Sequence, residues 1–238
     1  LTTEQQQAAT RAMDENCIRD VNLYLYGDTE YHFYFPSVSS PLVFNVLPGN
    51  YRSYAIANAG QDLGDKNAFK IQFYETAVDV MESSDAIPMT DRGTLAVDGA
   101  GRCTPSSLRV TRSAAKIAYT IEVADAVAPS LRLRSVQFCN LPLTIRPFDS
   151  GSISSTVEAN YYDGETMPVG NERRTAGTAY LFENLQGSVD TITDQKDKCP
   201  ENAPACATYL RILAERSADK ALVEYIVYPG ENNTSDFN

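Results

Sequence analysis

The stretch SLRVTRSAAKIAYTIEV, from Ser107 to Val123, alternates apolar and polar residues as a half-buried β-strand does. Its apolar side chains change phase midway, being even-numbered as far as Ala114 and odd-numbered from Ile117 onward. Because strand side chains alternate between faces, this change predicts a bulge or bend near Ala114–Ala115, in a strand that passes between the layers of a β-sandwich. A single strand that begins at Ala115 after an irregular lead-in explains the pattern equally well.

Alternating runs of this kind recur along the chain, with no regular helix between them, which excludes a parallel α/β sheet. Together they predict about ten short strands and an all-β fold. The other main runs are DVNLYLYG (Asp20–Gly27), LVFNV (Leu42–Val46), YRSYAIAN (Tyr51–Asn58), FKIQF (Phe69–Phe73), LRLRSVQFCNLP (Leu131–Pro142), AYLFEN (Ala179–Asn184), ATYLRILAER (Ala207–Arg216) and ALVEYIVYPG (Ala221–Gly230).

Five local features refine this prediction. Turn residues at Pro48–Gly49 predict a hairpin between LVFNV and YRSYAIAN, and the last two runs predict a second hairpin through Ser217–Lys220. The phase of the run from Leu131 changes near Arg134–Ser135, and Tyr74–Asp85 has the spacing of a short helix. A segment rich in Gly, Ser and Thr, Met89–Ser107, predicts a boundary between two domains, residues 1–105 and 106–238.

Composition narrows the classes of function. The chain has 238 residues, of which 43% are hydrophobic, so it is globular and long enough for one large or two small domains. Its 31 acidic and 20 basic residues give a net charge of −11, which argues against nucleic acid as a partner. No apolar run approaches the roughly 18 residues of a membrane span. The chain begins at Leu1 rather than Met, which we interpret as a mature or trimmed form.

Residues suited to catalysis are scarce. The single histidine, His32, lies among aromatic residues in YHFYF, where a structural role is the better interpretation. The acidic run Asp190, Asp194 and Asp197 lacks the spacing of a calcium loop, and Lys196 and Lys198 dilute its charge, so we interpret it as a solvated loop. We therefore expect no catalytic residues, no metal and no cofactor, although a glycosidase using distant carboxylates stays open as an alternative.

Five cysteines leave at least one thiol unpaired within a single chain. Cys199 and Cys206 flank CPENAPAC, whose two prolines favour a turn that brings the ends together. A local disulfide between them and a pair of free surface thiols are both open interpretations. Cys139 follows an apolar strand and is predicted to be a small buried residue, whereas the states of Cys17 and Cys103 are not predicted.

Several short stretches, in order along nearly the whole chain, resemble the type V fimbrial subunits. These are fimbrillin-like and fimbrial-anchor-like surface lipoproteins of gut and oral anaerobic bacteria. The stretches are DVNLYLYG (Asp20–Gly27), LPGNYRSYAIANAG (Leu47–Gly60), AIPMT (Ala86–Thr90), the pattern of Arg112, Ala115, Lys116 and Ile117, YLFENLQG (Tyr180–Gly187) and GENNTSDFN (Gly230–Asn238).

The resemblance implies two transthyretin-like β-sandwiches in tandem and a role as structural subunit or anchor of a pilus at the cell surface. It also implies export with a lipid-modified leader, so that the membrane is reached only through an anchor upstream of this chain. In that family an Arg-specific protease removes an N-terminal segment, and subunits then join by strand exchange. Arg11 and Arg19 are the candidate cleavage points here, and ordinary surface arginines are the alternative interpretation.

The end of the chain carries the last prediction. Phe237 is a lone aromatic residue after a polar stretch, which indicates the start of a buried strand rather than a free tail. We expect the final strand to be missing from this form and the second sandwich to present an open edge beside Leu222–Tyr228. The residues proposed to line it are Leu222, Glu224, Ile226 and Tyr228.

The implied partners are other fimbrial subunits, together with host or bacterial surface ligands. The alternative function is a surface lipoprotein on the same scaffold that binds a glycan or a protein without forming a polymer.

Overall fold

The computed structural model describes residues 16–64, 86–105, 107–144, 147–148, 154–170, 173–232 and 234–237. In these residues the protein is all-β with antiparallel sheets, and the helical turns among them are two 3₁₀ turns, Glu158–Asn160 and Gln195–Asp197. The predicted strand Phe69–Phe73, the predicted helix Tyr74–Asp85 and the candidate Arg11 lie outside the described residues. Described residues up to 111 form one unit, and those from 112 onward form another.

The first unit is built on one sheet with the order β2-β1-β3-β4-β5, and the short strand β6 pairs with β4. The strands are β1 (Val21–Tyr26), β2 (Glu30–Phe35), β3 (Gly49–Ala57), β4 (Met89–Val97), β5 (Cys103–Thr104) and β6 (Thr111–Arg112). The strand predicted in DVNLYLYG is confirmed as β1. It forms with β2 a hairpin that the alternation did not predict, because β2 is aromatic on both faces.

The hairpin predicted between Leu42–Val46 and Tyr51–Asn58 is wrong, because β3 pairs with β1 and β4 instead. Residues 42–47 form no strand, yet their side chains keep alternating between half-buried and exposed, with Val43 79% and Leu47 62% exposed. Phe44 packs beside Phe33 over the core of the unit, with ring centroids 5.3 Å apart. The alternation therefore records which side chains are buried and not a backbone ladder.

The core of the first unit lies on one face of its sheet, where the odd-numbered side chains of β1 meet those of β3 and β4. Its fully buried members are Val21, Leu23, Leu25, Tyr51, Ala55, Ala57, Met89, Leu95 and Val97. Half-buried residues, including Leu108 and Val110, pack against this cluster. Burial of apolar surface of this kind contributes roughly 25 cal/mol per Å² to folding.

The opposite face of β1 is buried as well, because polar side chains attach the loop 58–64 to it. Asp20 accepts hydrogen bonds from the backbone N–H groups of Ala59 and Gly60, each 3.1 Å long. Asn22 donates to Gln61 O and accepts from Leu63 N, both at 3.0 Å. Burial raises the pKa of Asp20, and the two backbone N–H groups oppose that rise. These hydrogen bonds offset the free-energy cost of burying the polar groups.

The second unit contains two larger sheets and one short pair. A four-stranded sheet has the order β11-β8-β13-β14, β12 pairs with β7, and β9 pairs with β10. The strands are β7 (Ala114–Glu122), β8 (Leu131–Cys139), β9 (Leu141–Pro142), β10 (Tyr161–Tyr162), β11 (Met167–Pro168), β12 (Arg174–Phe182), β13 (Tyr209–Arg216) and β14 (Leu222–Val227).

The two larger sheets of the second unit share one core. It contains Val123, Leu133, Val136, Phe138, Leu141, Leu181, Leu210 and Ile212, which come from β8, β9, β12 and β13 and, for Val123, from the position directly after β7. Tyr119 of β7 contacts Phe138 edge to face, with ring centroids 5.9 Å apart. A sandwich-like packing of the β7–β12 pair against the four-stranded sheet follows from this shared core.

Two predictions for the second unit are confirmed. β13 and β14 form the predicted antiparallel hairpin. The register between β8 and β13 shifts beside Arg134, since Leu213 lies opposite Ser135 and Ala214 lies opposite Leu133. An extra residue in one strand produces such a β-bulge and moves the following side chains to the other face, which is the phase change seen in the sequence.

The phase change in Ser107–Val123 has a different cause from the predicted bulge. Leu108 and Val110 pack on the core of the first unit, whereas Ile117 and Tyr119 pack on the core of the second unit. The chain leaves one unit between these two sets, and β7 begins afterwards. The interpretation of a single strand preceded by an irregular lead-in is therefore close to the structure. That the two units are independent sandwich domains stays a prediction.

Candidate functional site

The strand β14 stands at the end of its sheet. In the order β11-β8-β13-β14, its only strand partner among the described residues is β13, and residues 222–227 pair with residues 210–215. The far side of its backbone therefore has no ladder partner in the part of the chain that the structure describes. Exposed backbone groups on an edge strand are a template for pairing with another extended chain.

The core-facing side of β14 is only partly covered. Tyr225 and Val227 lie opposite the core residues Ile212 and Leu210, so they point to the same face of the sheet. Both are nevertheless about half exposed, at 46% and 47%. The core cluster of this unit includes residues of β8 and β13 but stops short of β14. Tyr225 and Val227 therefore form a line of apolar side chains beside the open backbone edge.

The residues predicted for the open edge occupy the other face of β14. Leu222 is 64% exposed, Glu224 is exposed, Ile226 is half-buried, and Tyr228 follows the strand. Sequence reasoning thus found the strand but missed Tyr225 and Val227, which lie on the core-facing side. Alternation alone does not tell which face of β14 is left uncovered, because that depends on how far the facing sheet extends.

Ion pairs hold the hairpin that carries this edge. Arg134 donates from Nε and Nη2 to the same oxygen of Glu215, at 3.0 and 2.6 Å. In the turn, Arg216 Nε donates to Asp219 Oδ1 at 2.8 Å, and the same carboxylate oxygen accepts from Ala221 N. The hydrogen bonds from Arg134 lower the pKa of Glu215, and those from Arg216 lower the pKa of Asp219 to about 2.

We expect the stability of the protein to fall in acid because these carboxylates become protonated. A carboxylate whose pKa is lower in the folded state stabilises the fold above its unfolded value, and this contribution is lost as the pH falls through the folded pKa. The contribution of Asp219 is lost between its ordinary value of 3.8 and its folded pKa of about 2, and that of Glu215 is lost below its ordinary value of 4.5. Melting temperatures between pH 6 and pH 2 measure it, and the double variant E215Q/D219N should show a shallower decline than the parent. An equally steep decline in that variant would contradict the assignment to these two groups.

The chain after β14 packs against residues 187–207. Phe237 is only 2% exposed and packs with Ile192 and Ala207, so its predicted burial is confirmed. It follows an isolated β-bridge between Ser188 and Asp236 rather than a strand, and its N–H donates to Gly187 O at 3.0 Å. The interpretation of Asp190–Lys198 as a solvated loop is wrong at two positions, since Ile192 and Lys198 are buried.

Cys199 and Cys206 are both free thiols in the structure, the first half-buried and the second buried. The chain between them turns tightly, with Ala203 N donating to Cys199 O and Ala207 N donating to Pro204 O, each at 3.0 Å. Hydrogen bonding to Glu201 raises the pKa of Cys199, and burial raises that of Cys206. The disulfide between them stays a prediction. Cys139 is fully buried as predicted, and burial raises its pKa to about 11.

Arg19 is exposed and lies just before β1. The backbone around it is held by the buried side chain of Asn58, which accepts from Arg19 N and donates to Cys17 O, both at 2.8 Å. The arginine side chain is therefore accessible to a protease, while the adjoining backbone is attached to the fold. Cleavage at Arg19 stays a prediction.

His32 is part of the packing on the loop-covered face of the first unit. Its ring stacks on Tyr24 with centroids 4.5 Å apart, and its Nε2 lies 3.1 Å from Asn22 Oδ1 and 3.7 Å from Asp62 Oδ1. Among the described residues, no group of three or more His, Cys, Asp or Glu side chains is placed to hold a metal ion. Nor is any helix within the described ranges long and apolar enough to cross a membrane.

Comparison with known proteins adds a partial match. A family described as a domain of unknown function, DUF4906, matches residues 179–238, which include the end of β12, all of β13 and β14, and Phe237. The chain matches no curated protein sequence.

Two solved structures resemble the chain over most of its length. A candidate adhesin from Bacteroides ovatus ATCC 8483 is 11% identical, with a TM-score of 0.45, over 90% of this chain and 78% of that one. A candidate cell adhesion protein from Bacteroides fragilis NCTC 9343 is 7% identical, with a TM-score of 0.33, over 91% of this chain and 76% of that one.

Proposed function

We propose that this chain is a non-catalytic structural subunit or anchor of a cell-surface fimbria, which joins other subunits by strand exchange. The observation that carries the proposal is the edge strand β14, with its open backbone and its half-exposed Tyr225 and Val227 on the core-facing side. An added strand supplies both missing elements at once, namely backbone hydrogen bonds and alternating apolar side chains. The ordered sequence resemblance to type V fimbrial subunits supports the same role.

The location and maturation belong to the same proposal. The fimbrial role implies two transthyretin-like sandwiches at the cell surface, attached to the outer membrane through an upstream lipid or through the fibre itself. Proteolysis after Arg11 or Arg19 would precede assembly. N-terminal sequencing of protease-treated protein tests this step, and R19Q is a clean variant because the hydrogen bond at Arg19 is made by its backbone N–H.

The edge is tested with a lysine on its core-facing side. We expect V227K to abolish the binding of a synthetic alternating strand peptide and to prevent fibres after mild trypsin treatment, because an inward-pointing charge blocks strand addition. The change to stability should be small, below about 1 kcal/mol, since Val227 is half exposed. V127K is the matched control, because Val127 is similarly exposed, at 42%, and lies in the turn before β8 rather than in a strand.

Peptide-induced rises in melting temperature and electron micrographs give the two measurements. Fibres from V227K as abundant as those from V127K would show that β14 is not the acceptor. A parent protein that stays monomeric and binds glycans would favour the alternative, a surface lipoprotein that does not polymerise.

A further inference from the structure

The segment that follows β14 closes on itself. The described residues 228–232 and 234–237, here called the C-terminal loop, begin and end with aromatic rings that meet, since the centroids of Tyr228 and Phe237 are 5.4 Å apart. Phe237 is buried with Ile192 and Ala207 in a small core cluster separate from the main core of the unit. Compact loops with adjoining ends of this kind are packed by their own side chains.

A lysine from elsewhere in the chain enters this loop. Lys198 is buried, and its Nζ donates to Asn232 O at 2.9 Å and to Pro229 O at 3.5 Å. The same ammonium lies 5.0 Å from the centroid of the Phe237 ring. It thus contacts the beginning, the middle and the end of the C-terminal loop. A buried ammonium is costly unless it is hydrogen-bonded, so these contacts explain its position.

The loop leaves no room for a side chain at its first turn. A Cβ atom on Gly230 would lie 2.3 Å from Asp236 O and 2.9 Å from Lys198 Nζ. The end of the loop, from Ser235 to Phe237, is fixed by backbone hydrogen bonds. Val189 N donates to Ser235 O at 2.7 Å, and Phe237 N donates to Gly187 O. Asp236 is buried and accepts from Glu231 N across the loop. Gly230, Lys198 and Asp236 are therefore packed against one another inside the loop.

This arrangement reaches the edge strand through Tyr228. That residue directly follows β14, and its ring packs against both Phe237 and Tyr209, the first residue of β13, with the Tyr209 centroid 5.7 Å away. Closure of the loop therefore anchors the C-terminal end of β14 to the start of β13. The middle of the loop, residues 230–232, is exposed, and segments of this kind open locally at a lower free energy than the whole fold.

We propose that Lys198 is a latch that keeps the C-terminal loop closed and thereby holds β14 in the conformation that accepts a strand. Only the effect of the latch on strand binding at β14 rests on the proposed function, because closure of the loop can be measured by itself. When the ammonium is lost, Asn232 O and Pro229 O lose their donor, the loop opens, and the end of β14 frays.

The test compares Lys198→Met, which keeps the length of the side chain but not its charge, with Lys198→Arg, which keeps the charge. Hydrogen exchange is measured by mass spectrometry in residues 187–189, 222–227 and 228–237, with β3 of the first unit as the internal reference. In K198M we expect exchange in residues 187–189 and 228–237 to rise about tenfold or more, as the loss of a charge-assisted hydrogen bond implies. Residues 222–227 should rise by a smaller factor, and K198R should stay within about threefold of the parent at all three places.

A second variant separates the latch from the charge. Gly230→Ala opens the same loop by steric contact while the chain keeps the charge of Lys198, so it should reproduce the exchange pattern of K198M. Affinity for the alternating strand peptide should fall several-fold in both variants.

Each outcome decides a part of the proposal. Unchanged exchange in residues 187–189 and 228–237 of K198M overturns the latch. Faster exchange with unchanged peptide affinity overturns its link to β14. If the parent protein does not bind the peptide, the proposed function fails, while the exchange data still decide whether Lys198 holds the loop. Faster exchange in the β3 reference would show general unfolding and thus refute a local latch.

Discussion

Replacing Phe237 with Ala should lower the free energy of unfolding of the second unit by about 3 kcal/mol, at the lower end of the range for buried phenylalanines. The ring is buried among Ile192, Ala207 and Tyr228, and the Lys198 ammonium lies over its face. Its removal leaves both a cavity and a buried charge with one contact fewer. Urea unfolding followed by circular dichroism measures the loss, because the chain has no tryptophan for fluorescence.

Two control variants locate the effect of Phe237→Ala. Phe237→Leu keeps most of the buried volume and should cost less than about 1.5 kcal/mol. Tyr225→Ala removes another ring from residues 179–238, but this ring is about half exposed. It should therefore lower the free energy of unfolding clearly less than Phe237→Ala does. If Phe237→Ala were no more destabilising than Tyr225→Ala, the small core cluster would make no net contribution to folding.

Asn58→Ala should destabilise the first unit by about 3 kcal/mol or more, because it loses two separate contributions. The backbone at Asn58 has φ of +61°, a left-handed conformation that Asn tolerates better than Ala does. Its buried side chain donates to Cys17 O at 2.8 Å and to Ile87 O at 2.7 Å, and it accepts from Arg19 N at 2.8 Å. Without it, three backbone groups lose their partner.

Asn58→Gly separates the two contributions. Glycine accepts the left-handed backbone, so this variant should recover roughly 1 kcal/mol of the loss while leaving the hydrogen bonds missing. Because Asn58 holds the backbone on both sides of Ile18, we also expect faster tryptic cleavage at Arg19 in N58A. An Asn58→Ala protein that is as stable as the parent and is cleaved no faster would show that these hydrogen bonds contribute nothing net.

The strands could be predicted where alternation and pairing coincide. β1, the bulged β8 and the β13–β14 hairpin follow from local patterns, because a half-buried strand must expose every second side chain and a bulge must shift that phase. Leu42–Val46 has the same alternation but no ladder, since β1 and β4 occupy both sides of the β3 strand that was its expected partner. The alternation is a property of burial, and burial does not require a strand.

The candidate site was predicted less completely. Leu222, Glu224 and Ile226 lie on β14 and Tyr228 directly follows it, yet Tyr225 and Val227 on the core-facing side of the strand were missed. Lys198 was interpreted as a solvated lysine, because nothing in its neighbours along the chain indicates the carbonyl groups of residues 229 and 232. Those groups come together with the ammonium only through long-range folding.

By itself, the sequence determined that this protein is all-β, where its most regular strands lie, and that Phe237 is buried, because periodicity and isolated apolar residues are local records of burial. Only the tertiary structure decided the order of the strands, which places β14 at an edge, and the meaning of the phase change in Ser107–Val123, which separates two cores. It also decided which polar side chains, such as Asn58 and Lys198, are buried. These properties depend on contacts between residues distant in the chain, and the free energy of such contacts is not encoded in any single stretch of sequence.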